Sequence, residues 1–252
     1  MKCLRLLKLV FVLTTFPLLV LPVFGQYLRV GINGSIPIDK LQTMDDALPI
    51  ADPAQRLDLL KRLGIDADVA EAAISPRLPR DIEIQPLHVN QGKLYGIVSL
   101  PCGMQGLAFL YLLDEAGTNV WHAVDHVALD CFHETPTYRL LSFAPGENAV
   151  LVEHANAGHG TGEVEDKAAI YTIVNGKMHD VLSTLDYRYS WGDPGSPTVE
   201  ENSSFLQISS RVIEETRITS QNGVPLRAER RIWRWEMTKA AFRATSFSAI
   251  LK

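Results

Sequence analysis

Two textures of hydrophobic spacing divide the chain. Between Pro53 and Ile74 the apolar positions recur at helical intervals: leucines at 57, 59, 60 and 63 form one stripe, with Asp52 placed to cap the helix, Pro53 at its first position and Gly64 as its stop. The segment DADVAEAAI then predicts a second short helix, capped by Asp66 and broken by the SPRLP that follows Ile74. Beyond Pro79 the pattern changes to short runs rich in β-branched and aromatic residues. Examples are KLYGIVSL, GLAFLYLLD, KAAIYTIV and RRIWRWEM, each bounded by Gly, Pro, Asn or Asp. Asn175-Gly176 and Asn222-Gly223 lie between such runs and predict tight two-residue hairpins, and Pro145-Gly146 marks a further turn. The expected fold is therefore mainly β, an antiparallel meander closed as a sandwich or barrel-like sheet, with a small N-terminal helical segment: α+β overall. No blade-length repeat is present to suggest a propeller.

The first 25 residues follow neither pattern. Lys2, Arg5 and Lys8 precede an uncharged apolar run from Leu9 to Phe24, interrupted by Pro17 and Pro22, with Val23 and Gly25 as small residues before a cleavage point. This is the layout of a secretory signal peptide, and the run is shorter than the roughly 20 residues a spanning helix needs. The expected organisation is a signal peptide over 1–25, an N-terminal segment with two short helices over 26–79, and a β-rich domain over 80–252. Export to the periplasm or beyond follows from cleavage near Gly25, with no stable membrane span in the mature chain.

Charge and cysteine usage narrow the chemistry. Loss of Lys2, Arg5 and Lys8 with the signal makes the formal net charge of −5 three units more negative, and no basic face suited to a phosphate backbone appears, so nucleic acid is excluded as a partner. Cys3 leaves with the signal, so Cys102 and Cys131 remain as a pair that predicts a disulfide in an oxidising compartment. No CxxC or Cys/His zinc motif, GxSxG elbow or SxxK motif is present.

The stretch HANAGHGTGEVED, residues 154 to 166, concentrates most of the remaining chemistry. Flanking strands make it read as a hairpin with a loop of about ten residues, its alternating glycines supplying backbone freedom. It lacks the lysine or the following helix of a phosphate cradle. It does offer His154 and His159 as nitrogen ligands and Glu163, Glu165 and Asp166 as oxygen ligands, so a metal, the one cofactor class the sequence suggests, would have His154 and His159 as its candidates. A second histidine group, WHAVDHVALDCFHE, holds His122, His126 and His133 among Asp125, Asp130 and Glu134. On a regular strand His122 and His126 share a face about 13 Å apart, too far for one metal, and Asp125, if it lies on the face with Trp121, Val127 and Leu129, is a partly buried carboxylate in need of a partner. Near the C-terminus Arg231, Trp233 and Trp235 fall on one strand face. Exposed, they would form a platform for a sugar ring or peptide; buried, they are core, and the opposing strand carries Glu214, Glu215 and Arg217, whose charges would pair across the strands with the basic run.

The function these features suggest is a non-catalytic binding or interaction module of the periplasm or cell envelope, with a glycan, peptide or protein as its partner. A secreted hydrolase, metal-assisted and built on the His154/His159 loop, is the alternative. An inhibitor of a secreted enzyme, presenting one of the long turns, is a further one.

Overall fold

The computed structural model describes residues 53–74, 83–89 and most of 93–251, leaving aside the short stretches 101, 104–105, 118–119, 145–146, 161 and 193. The segment expected to be a signal peptide, the expected cap Asp52 and the expected turn at Pro145-Gly146 lie outside the described residues. Among the described residues, helix α1 (Pro53–Arg62) and helix α2 (Ala67–Ala73) are followed by thirteen strands in two antiparallel sheets. The first sheet has four strands in the order β1 (Glu83–His88), β2 (Leu94–Leu100), β3 (Leu107–Gly117) and β4 (Val120–Asp130). The second has nine: β5 (Thr137–Ala144), β6 (Glu147–Gly160), β7 (Glu163–Val174), β8 (Lys177–Ser190), β9 (Val199–Ser209), β10 (Val212–Gln221), β11 (Val224–Glu236), β12 (Ala241–Ala244) and β13 (Ser248–Leu251). Every strand from β5 to β12 pairs with its neighbour in sequence, and β13 returns to β11. The expected mainly β, α+β fold is the one observed.

The helices end where the residues dictate. Gly64 takes φ 79°, and the Ile65 and Gly64 amides donate to the Leu60 and Lys61 carbonyls, a Schellman stop. Asp66 stands at the start of α2 but makes no side-chain cap; its carboxylate accepts the Tyr111 hydroxyl at 3.0 Å instead. That bond, together with desolvation as the larger cause, holds the phenol pKa far above its usual value.

Three apolar layers hold the fold together. Leu59, Leu60 and Leu63 pack on Val98, Leu100, Tyr111, Leu113 and Trp121, on one face of the four-stranded sheet. Its other face presents Ile97, Leu110, Leu112 and Leu129 to Val150, Val152, Ala169 and Tyr171 of the nine-stranded sheet. The far face of that sheet packs Leu141, Phe143, Leu151, Ile170, Leu182, Phe205, Ile213, Trp233 and Phe242 together. Because β3 and β7 are covered on both faces, GLAFLYLLD and KAAIYTIV are continuous apolar runs without the alternation of a half-exposed strand.

The third layer exists because the nine-stranded sheet curls on itself. The free edge of β5 meets β9 through side chains: the Gln207 amide group donates to the Ser142 carbonyl and accepts the Ser142 amide N–H, and the Arg139 guanidinium donates to the Phe205 carbonyl at 2.8 Å. The result is a barrel-like curl whose last closure is made by side chains. Both Asn-Gly pairs form their hairpins, with φ 53° and 74° at Asn175-Gly176 and 50° and 77° at Asn222-Gly223. Cys102 and Cys131 form the expected disulfide.

One expectation about faces is corrected. Between Asp125 and Ala123 the register of β4 against β3 shifts, leaving Val124 as an extra residue. The bulge inverts the strand, so His126 stands opposite Tyr111 and His122 opposite Asp114. The two histidines therefore do not share a face: His126 stacks on Tyr111, with ring centroids 5.1 Å apart. Asp125 finds its partner across the sandwich, accepting the Met178 amide of β8 at 2.7 Å.

Candidate functional site

The stretch that reads as a long loop is mostly strand. Strand β6 continues to Gly160 and β7 begins at Glu163, so the turn itself is short; Gly162 has φ 93° and its carbonyl accepts the Trp191 amide at 2.8 Å. The extra length of the hairpin is taken up by bulges. Val152 pairs with Ala169 and Ala155 with Lys167, so Glu153 and His154 together oppose the single residue Ala168, and His154 is held at φ 62°. On the other side of β7, Asp166 pairs with Tyr187 and Lys167 with Leu185, leaving Asp186 as the extra residue of β8. Two bulges thus flank the same point of β7. Bulges re-aim side chains, and these two turn His154 and Asp186 toward each other.

The β4–β5 connection completes the cluster, with Cys131 anchored by its disulfide and the Phe132 amide bound to Asp130 at 2.9 Å. His133 Nδ1 lies 2.8 Å from the Oδ2 of Asp166, whose carboxylate is fully buried, and the ring stacks on Tyr187 at 5.3 Å. Asn156 donates to the other Asp166 oxygen at 3.2 Å. The His154 amide donates to Asp186 at 2.6 Å. His154 Nδ1 is buried 3.1 Å from Asp186 and 3.3 Å from Glu134, but neither contact is directed well enough to be a hydrogen bond, so the atom is close to two carboxylates and bonded to neither. One ligand atom each from His133, Glu134 and Asp166 lies within 4.8 Å of the others. Asp166 stands at the bottom and the other two at the surface.

Burial is the main reason the Asp186 carboxyl sits above its usual pKa, reinforced by Glu153 and Asp166 and opposed by the His154 amide and ring. Between the ordinary and the raised value the native state keeps a proton that the unfolded chain has released, so this group's contribution to stability falls as pH rises through that window. Asp186→Asn retains an acceptor for the His154 amide and loses the titration. The expected result is that the melting temperature of the variant, relative to wild type, rises as pH is raised through and above the ordinary carboxylate range. A difference that does not change with pH would show that the Asp186 carboxyl binds its proton equally well in the native and the unfolded chain.

The residues singled out by sequence are divided by the structure. Asp166 and His154 belong to the cluster, joined by His133 and Glu134 from the other histidine group. Glu163 and Glu165 turn away to Arg188, at 3.1 and 2.9 Å, which also binds Glu201 at 2.9 Å. The side chain of His159 lies outside the described residues. Arg231 and Trp233 are not a free platform: both bind the buried carboxylate of Glu215, each at 2.7 Å. Trp235 stands edge-on to Phe143 with centroids 4.7 Å apart and lines a cleft at the other end of the curl. Asn156, Asp186 and Tyr187 had no local signal, since each gains its role only through register shifts and pairing across strands.

Fold and site define a two-sheet antiparallel β protein carrying a histidine–carboxylate cluster at a pair of bulges. No family model matches the chain, and no curated protein or solved structure does either.

Proposed function

We propose that this chain is an exported binding module of the cell envelope, without catalysis, that engages its partner through a divalent cation held by His133, Glu134 and Asp166. The observation that carries this reading is the convergence of one imidazole nitrogen and two carboxylate oxygens within 4.8 Å at the surface, over a fully buried Asp166. A nitrogen–oxygen set of this kind suits zinc or manganese. Three protein ligands leave coordination positions open, which oxygen atoms of a glycan or an acidic peptide would fill. Asn156, bonded to the Asp166 oxygen that does not face His133, orients the buried ligand from behind. A cation there takes the place of the proton between His133 and Asp166, so affinity falls as pH falls. Export is supported by the signal-like N-terminus and by the disulfide, which persists in oxidising compartments. No helix among the described residues is long and apolar enough to cross a membrane.

Metal analysis of the full chain, purified without chelators or a histidine tag, tests the reading. About one zinc or manganese ion per chain is expected, lost in Asp166→Asn and in His133→Ala with the fold retained. Absence of metal from the wild-type protein after incubation with both ions would overturn it. The alternative is a metal-assisted hydrolase at the same cluster. It is favoured by the His133–Asp166 hydrogen bond, the geometry of a base held by its orienting carboxylate, and it requires metal-dependent turnover of an ester, phosphoester or peptide.

A further inference from the structure

At the end of the curl opposite the histidine cluster, the third apolar layer opens into a cleft of about 520 Å³. It is formed by the ends of β5, β7 and β11, the beginnings of β6 and β8, and the turns that join β9 to β10 and β11 to β12. Phe143, Trp235 and Phe242 make an aromatic group beneath it, packed edge to face, with Trp235 4.7 Å from Phe143 and 5.5 Å from Phe242. Mouths of curled sheets with apolar walls and a few polar groups are common small-molecule sites.

The distinctive polar group here is Arg211. It occupies the β9–β10 turn at φ 63°, a conformation that glycine or asparagine adopts at lower cost. The backbone at this point is fixed by its carbonyl, which accepts the Trp235 amide at 3.1 Å. From there the guanidinium lies over the Phe143 ring at 5.0 Å. Its Nε is buried and donates to nothing, and the nearest carboxylate, Glu147, is 4.0 Å from Nη2. The side chain as a whole is 34% exposed, so a carboxylate in the cleft would meet the guanidinium at its Nη atoms, in a charge-assisted contact stronger than a neutral one. Of the other charged groups at the cleft, Lys239 is 3.5 Å from Glu236, and Asp180 accepts the Leu182 amide at 3.1 Å.

We propose that this cleft is a binding site for a small aromatic carboxylate, its carboxylate taken by Arg211 and its ring laid against Trp235 and Phe143. The proposal is independent of the cation cluster, which lies at the other end of the curl and shares none of these residues.

The test is calorimetric titration of the full chain with phenylacetate, with 2-phenylethanol as the uncharged counterpart, on wild type and on Arg211→Asn. Asparagine fits the turn, so the variant should keep the wild-type melting temperature within a few degrees while removing the guanidinium. The expected result is saturable binding of phenylacetate, at least roughly tenfold weaker for 2-phenylethanol and at least roughly tenfold weaker in the variant, the loss of one charge-assisted contact. Equal affinity of phenylacetate for variant and wild type, or no saturation of the wild type at millimolar ligand, would overturn the proposal. A second variant, Arg211→Lys, keeps the charge but has no Nε and no planar fork; full wild-type affinity in it would also count against Arg211 as a directed carboxylate ligand.

Discussion

Replacing Glu215 with alanine is expected to destabilise the protein by about 3–5 kcal/mol, because it breaks a buried ion-pair network by removing its shared carboxylate. Glu215 is fully buried, and both of its oxygens are occupied. One accepts Arg231 Nε and Trp233 Nε1, each at 2.7 Å, and the other accepts Arg217 Nη2 at 2.8 Å. Phe247 lies against both guanidinium groups, 4.7 Å from that of Arg217 and 4.3 Å from that of Arg231. Alanine would leave two half-buried cations facing each other and a buried indole N–H without an acceptor, each costly by itself. Glutamine keeps one acceptor oxygen but introduces two donors where donors already converge, so a smaller loss is expected. Urea unfolding at neutral pH measures both. A loss below about 1 kcal/mol for the alanine variant would mean that water or rearranged side chains solvate the arginines, and that the network is only loosely closed.

Removing the disulfide ranks second. Cys102 and Cys131 are 29 residues apart, and opening a loop of that size is expected to cost about 3–4 kcal/mol in the chain-entropy account. For a chain of this length that is on the order of 10 °C in melting temperature. Thermal unfolding of the double Cys→Ser variant, beside wild type with and without reductant, is the measurement. The reduced wild type and the variant should coincide; a fall of less than about 2 °C would show that the β3–β4 pairing already restrains the loop without the bond. The position adds a local consequence, because Cys131 begins the connection that carries His133 and Glu134 to Asp166. If the cluster holds a cation as proposed, binding by the reduced protein should therefore weaken more than its stability alone accounts for.

What the sequence made legible was whatever is decided locally. The Asn-Gly hairpins, the Schellman stop at Gly64, the strand texture after Pro79 and the cysteine pair each depend on residues close in sequence or on a count of two. What stayed hidden was decided by pairing. Alternating glycines in HANAGHGTGEVED look like a loop because glycine is a poor strand former, yet hydrogen bonding to β7 overrides that weak preference. Two bulges then set where His154 and Asp186 point, as the bulge at Val124 does for His122 and His126. Period-two reasoning cannot foresee an inserted residue, and every face assignment beyond one is inverted. The join of His133 to Asp166 spans 33 residues and ties the β4–β5 connection to the middle of the second sheet, so neither segment announces it. Arg211 and its cleft left no trace in the pattern either, since an arginine at a turn reads as ordinary surface.

The closure of the curl by Arg139 and Gln207 has a consequence for the order of folding. From β5 to β12 each strand pairs with the one that follows it, so the sheet can grow hairpin by hairpin with only short loops to close. The contacts of Ser142 with Gln207 and of Arg139 with Phe205 span 65 and 66 residues and have no place until the ninth strand has formed. The curl is thus assembled as an open ribbon and sealed last. Until it is sealed, β5 presents a bare edge to any other extended chain, and three hydrogen bonds from two side chains end that exposure.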